Sequence, residues 1–212
     1  MLRVNFVTSL DGAVAVDGRS AGLSGDADKA VFRLLRRECD ALLVGAGTFR
    51  AENYRPLTLD TERRAWRIDH GLAPYPRLVV ASRSLRLPAT HPALADAPVR
   101  PIVLTASMEP ADELESVADI VRAAGLTIGL QRLRAMGLTN ILCEGGPYLF
   151  GELSKADLVD ELCLTVSPLL AGPGAGRITA GDVHLPRHMR LSRMDTADDG
   201  TLLLRYERRR DS

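Results

Sequence analysis

The chain has 212 residues, 46% apolar and 25% charged, with 27 basic residues set against 27 acidic ones and a mean hydropathy near zero. That is the composition of a globular domain able to bury roughly 70% of its unfolded surface, and a zero net charge supplies no field for nucleic acid or an anionic membrane. No apolar run approaches the ~18 residues of a membrane span, and the amino terminus MLRVNFVTSLDG has no signal-peptide core, so a single cytoplasmic domain over residues 1–212 is expected.

In chain order, VNFVTSL (4–10), ALLVG (41–45), RLVVAS (77–82), PIVLTA (101–106), NILCE (140–144), VDELCLTVSP (159–168) and TLLLRYE (201–207) read as strands. Ser24-Gly25-Asp26 opens a helix with an apolar face at Val31, Leu34 and Leu35, and helical patterns follow at 61–69, 111–118, 128–136 and 147–155. Strand and helix alternation predicts an α/β fold with a largely parallel sheet. Beyond Gly172 no helix is expected, and segments 188–195 and 201–207 around Asp198-Asp199-Gly200 read as an antiparallel hairpin. The Pro-bearing stretches 52–76 and 83–100 are long enough to be functional surface loops.

Cys39, Cys143 and Cys163 are odd in number, far apart and set among apolar residues, which suits buried thiols rather than a disulfide framework. His184 and His188 have helical metal-pair spacing, but Pro186 lies between them and no third ligand accompanies them, so no metal is expected.

Two glycine turns follow strands. Gly45-Ala46-Gly47-Thr48 opens a short helix after ALLVG, and Glu144-Gly145-Gly146-Pro147 does so after NILC, with Tyr148 and Leu149 behind it. Each is a tight turn or a phosphate cradle in which backbone N–H groups meet an anion, and two in one α/β domain fit a dinucleotide, though neither is a full GxGxxG. Ser82-Arg83-Ser84 ends a strand as a polar loop or as a grip for a ribose 2′-phosphate, which favours NADPH. Asp11-Gly12 offers a carboxylate at a strand end and is equally a turn signal.

Together VTSLDG, S-x-x-L-S-G from Ser20, CDALLVGAGTFRAEN, RLVVASRS, ILCEGGPYLFGEL and LVDELCLTVSPLLAGPG resemble the pyrimidine reductase domain of riboflavin biosynthesis, a family similar in fold to dihydrofolate reductase. The resemblance implies NADPH-dependent reduction of 5-amino-6-(5-phosphoribosylamino)uracil, the alternative being a dihydrofolate or other pterin reductase, and a homodimer. It implies cofactor positions at Thr48, Glu52 and Ser82 and a phosphate-binding helix start from Gly146 to Gly151, to which the residue reading of the two glycine turns and the strand-end loop adds Gly45, Gly47, Arg83 and Gly145 to Leu149. It implies substrate positions at Ser20, Arg36 and Glu144, and makes Asp11 the active-site carboxylate. The family's upstream zinc deaminase has no counterpart in these residues, so a free-standing reductase or a relative of it is expected. Gly22 replaces a tryptophan common in the family, and the segment Glu52 to Asp60 lacks the arginine expected after Leu57-Thr58, for which Arg55 is the substitute in the substrate's phosphate grip.

Overall fold

A computed structural model describes residues 1–52 and 54–209 and divides them into two compact units, Met1–Leu34 with Cys143 onward, and Leu35–Leu142. The loop residue Asn53 and the last three of the chain lie outside the described residues.

The first unit contains β1 (Leu2–Thr8), a 3-10 turn (Ser20–Gly22), the first residues of α1 (Asp26–Glu38), α7 (Pro147–Lys155), β7 (Glu161–Val166), β8 (Met189–Thr196) and β9 (Leu202–Arg208). Its strands run β1-β7-β9-β8. β1 and β7 are parallel, with Val4 beside Leu162 and Phe6 beside Leu164, whereas β9 is antiparallel to both neighbours. Every residue of β1 is buried, as expected of a parallel strand covered on both faces. On one face Phe6 stacks on Phe150 of α7 at 5.3 Å between ring centroids. On the other, Arg3 is paired with Glu161. Gly151, inside α7, is where the chain passes closest: a Cβ there would stand 2.0 Å from the Ala180 carbonyl oxygen. Ala180 N donates to the Pro147 carbonyl at 3.0 Å, tying this crossing segment to the first turn of the helix.

The second unit holds β2 (Ala41–Gly45), α2 (Ala46–Ala51), α3 (Thr61–Asp69), β3 (Arg77–Ala81), α4 (Pro92–Ala95), β4 (Ile102–Thr105), α5 (Asp112–Val117), β5 (Asp119–Arg122), α6 (Leu126–Ala135) and β6 (Ile141–Cys143), whose last residue falls in the first unit. The strand order is β5-β4-β3-β2-β6, and the pairs β2/β3, β3/β4 and β4/β5 are parallel. Its core strands are unbroken aliphatic runs, as strands buried on both faces must be. Arg67 of α3 is wholly buried, its guanidinium donating to the carbonyls of Ala73, Arg37 and Cys39 at 2.6 to 2.7 Å. Asp40 accepts from Thr139 N and Asn140 N, fixing the approach to β6.

The α/β class, the mostly parallel pairing and the terminal antiparallel hairpin are as the sequence predicts. β2, α3 and α7 have the expected bounds. β1 differs: it starts at Leu2 and stops at Thr8, so Ser9 and Leu10 belong to the following turn. Three elements are additional, the 3-10 turn, β5 and α4, each of three or four residues and too short to show a period.

Candidate active site

The turn after β1 is built on Ser9. Gly12 N donates to the Ser9 carbonyl at 3.1 Å and Ala13 N to the Ser9 hydroxyl at 2.9 Å, with Gly12 at φ +83°. Asp11 projects from this turn into solvent. Its carboxylate accepts from the Ser9 hydroxyl, from Ala171 N at 3.1 Å and from Gly172 N at 2.8 Å. These donors, the Ser9 hydroxyl foremost, hold the Asp11 carboxyl below its ordinary range, so it is ionised at neutral pH. The Asp-Gly turn is formed, and its carboxylate tethers the loop that follows β7.

Also in the first unit, Glu144 follows β6 and is nearly buried. Gly145 has φ +89°, and a Cβ there would meet the Phe6 ring at 2.8 Å, so both backbone and packing demand glycine. Gly146 caps α7 without any side-chain hydrogen bond, and Pro147 sits at the first helical position. Tyr148 is largely exposed and Leu149 is buried. The helix therefore begins without a side-chain cap, the arrangement that receives anions on backbone N–H groups. Ser20 is half-buried and opens the 3-10 turn.

In the second unit, Gly45 ends β2 and caps α2, again without a side-chain bond, and a Cβ on Gly47 would meet nothing. Thr48 accepts from Glu52 N at 2.9 Å, and Glu52 closes this helix. Phe49 is wholly buried and anchors α2. Gly45 is in register with Ala81 on β3, so the Gly45–Thr48 turn and Ser82–Arg83 occupy adjacent strand ends. Ser82 is buried and its hydroxyl has no partner, while Arg83 is exposed. Arg36 is half-buried, with its guanidinium 5.9 Å from the Tyr54 ring, and Arg55 is exposed.

The three cysteines are buried free thiols, and burial pushes Cys143 up to about 12 and Cys163 up to about 11. His184 and His188 lie outside any helix, and among the described residues no group of three or more His, Cys, Asp or Glu side chains is placed to hold a metal. Nor is any described helix long and apolar enough to cross a membrane. Buried polar residues that the sequence reading did not single out include Asn5 on β1, Asp28 on α1 and Arg67 on α3.

The chain is 32% identical over 175 residues to the 2,5-diamino-6-ribosylamino-4(3H)-pyrimidinone 5′-phosphate reductase of Methanothermobacter thermautotrophicus, covering 80% of this chain and 78% of that protein. It is 30% identical over 177 residues to the protein of the same name from Archaeoglobus fulgidus, covering 80% of each. Among solved structures, a pyrimidine reductase-like protein from Corynebacterium diphtheriae superposes with a TM-score of 0.88 at 25% identity, over 99% of this chain and 92% of the other. The family model described as the RibD C-terminal domain matches residues 1–203, and the chain belongs to that family.

Proposed function

We propose that this chain is an NADPH-dependent reductase of a 5-amino-6-(5-phosphoribosylamino)pyrimidine in riboflavin biosynthesis. The observation that carries the cofactor half is the start of α7, where a double glycine leads into a helix with no side-chain cap. In the second unit, the buried, unpartnered Ser82 hydroxyl supports it. These residues fit a dinucleotide phosphate. The Tyr148 and Leu149 N–H groups would meet the pyrophosphate, Ser82 and the exposed Arg83 the ribose 2′-phosphate, and Thr48 and Glu52 would line the cofactor beside the open Gly45 and Gly47 turn.

When bound, NADPH supplies a hydride from nicotinamide C4 to C1′ of the ring-opened imine, leaving NADP⁺. The C1′=N double bond becomes a single bond and its nitrogen gains one proton. Ser20, Arg36, Arg55 and Glu144 would hold the substrate, the two arginines serving its phosphate. Asp11 would act through its negative charge, stabilising the iminium, since a carboxyl held ionised is a poor proton donor.

Two rings are in play, the aminouracil implied by the sequence resemblance and the 2,5-diaminopyrimidinone named for the relatives at 30–32% identity. We further assign a homodimer. One face of the terminal hairpin sets Leu164, Leu204 and Met194 side by side, and Leu162, Tyr206 and Leu191 beside them, with Met194 60% and Leu191 44% exposed. An apolar cross-strand face of this kind is suited to a second copy. Three buried thiols suit a cytoplasmic protein. Loss of 340 nm absorbance with NADPH and either phosphoribosylaminopyrimidine tests the activity, and failure with both removes it.

A further inference from the structure

In the second unit, one arginine of the proposed substrate grip ends a row of aromatic rings. Phe49, wholly buried on α2, packs against the His91 imidazole at 4.4 Å between centroids and stacks with Tyr54 at 6.1 Å and an interplanar angle of 23°. The Arg36 guanidinium carbon lies over the Tyr54 ring, 5.9 Å from its centroid, within the range of a cation–π contact. The row from His91 through Phe49 and Tyr54 to Arg36 thus joins the start of α4 to the last turn of α1.

Both members of the Tyr54 and Arg36 pair are held from behind. Beyond Tyr54 the loop is pinned by the buried Leu57 and Leu59 and by Asp60, which accepts from Arg63 N at 2.8 Å. His91 keeps its own place by accepting from Ala93 N at 3.2 Å through Nδ1. The backbone around Arg36 is fixed by Arg67, which donates to the carbonyls of Arg37 and Cys39 at 2.7 Å.

A long arginine side chain gives up rotamer freedom when it closes on an anion, and a guanidinium already laid against a ring gives up less. The ring meets the flat face of the guanidinium, whereas an oxyanion is met by N–H groups in its plane, so the two contacts are compatible. An aliphatic residue at position 54 would also pack on Phe49, but only a ring face attracts the cation. We propose that Tyr54 is a positioning residue: its ring, braced on Phe49, holds the Arg36 guanidinium in place for the substrate's 5′-phosphate before the substrate arrives. This rests on the reductase reading, in which Arg36 serves that phosphate.

The test follows NADPH oxidation by the full chain with the phosphoribosylaminopyrimidine that it reduces faster and with the dephosphorylated nucleoside of the same ring. Tyr54→Leu and Tyr54→Gln, which remove the ring, raise KM for the phosphorylated compound by about three- to tenfold with kcat little changed, and leave kcat/KM for the nucleoside as in wild type. Tyr54→Phe, which keeps the ring, keeps the wild-type KM. In an Arg36→Met background Tyr54→Leu adds no further loss, because the cation it holds is gone. Thermal unfolding of each variant accompanies the kinetics. A purely structural Tyr54 lowers Tm and affects both compounds alike, and that result overturns the proposal. So does an additive loss in the double variant, or a KM that ring removal leaves unchanged. Calorimetric titration of ribose 5-phosphate, with NADP⁺ present, separates the grip from the reaction. Binding weakened by Tyr54→Leu and by Arg36→Met, in a protein that reduces neither pyrimidine, upholds the grip and removes the reductase reading. Turnover with a KM indifferent to Tyr54 does the opposite. A wild type that neither reduces a pyrimidine nor binds ribose 5-phosphate overturns both.

Discussion

Two helical glycines with opposite surroundings give a quantitative test of the packing around α7. In Gly151→Ala the new Cβ would lie 2.0 Å from the Ala180 carbonyl oxygen, so the crossing segment must move by more than an ångström. Such overpacking costs about 1–3 kcal/mol, and loss of the 3.0 Å bond from Ala180 N to the Pro147 carbonyl adds about 1 kcal/mol. The better helix propensity of alanine returns about 1 kcal/mol, leaving a net loss of about 1–3 kcal/mol. For a chain of this length that lowers Tm by roughly 2–12 °C. Gly47→Ala is the control: it also sits in a helix, but its Cβ meets nothing, so stability holds or rises by up to about 1 kcal/mol. Thermal unfolding followed by circular dichroism reads both. Because Ala180 is bonded to the first turn of α7, Gly151→Ala should also weaken NADPH binding, measured by fluorescence titration. A Gly151→Ala protein with unchanged Tm and affinity would refute the reasoning.

Arg83→Ala should weaken NADPH by about 1.5–3 kcal/mol and leave NADH little changed, since only NADPH carries the 2′-phosphate; equal losses for both cofactors would remove Arg83 from that grip. Asp11→Asn keeps the turn, because Asn-Gly forms it as readily, but should slow single-turnover hydride transfer by at least ~10²-fold with NADPH affinity retained; near-normal transfer would reduce Asp11 to a tether of residues 171 and 172. The Asp11 carboxyl is lowered in the folded state, so its contribution to stability is present above its ordinary value of 3.8 and is lost as the pH falls through its folded value. Asp11→Asn should therefore flatten the acid limb of a stability-against-pH curve, and an unchanged limb would count against the tether.

The parts of the fold that local chemistry writes were legible. α3 starts where Asp60 accepts from Arg63 N, and α7 starts where Gly146 meets Pro147, so both helices could be bounded from sequence. The apolar runs of β2, β3 and β4 read as parallel strands for the same reason they are buried. β5 was not legible because Asp119 and Arg122 frame only two apolar residues, and Asp119 is occupied with Arg77 and Arg100 at the sheet edge. In the candidate site, the glycine turns and Ser82 could be picked out because glycine and strand-end hydroxyls are local signals. The Asp11 tether to residues some 160 positions away, the closeness of Ala180 to Gly151 and the burial of Asn5 and Asp28 are products of tertiary packing, which no local pattern encodes.

The most direct test of the account is the initial rate of NADPH oxidation at 340 nm with the two phosphoribosylaminopyrimidines, with the product identified by mass. The account predicts NADPH-dependent formation of a ribitylamino product two mass units heavier than the substrate, and much slower reaction with NADH. NADPH consumption with neither ring, or binding of NADPH with no reduction of either, would contradict it.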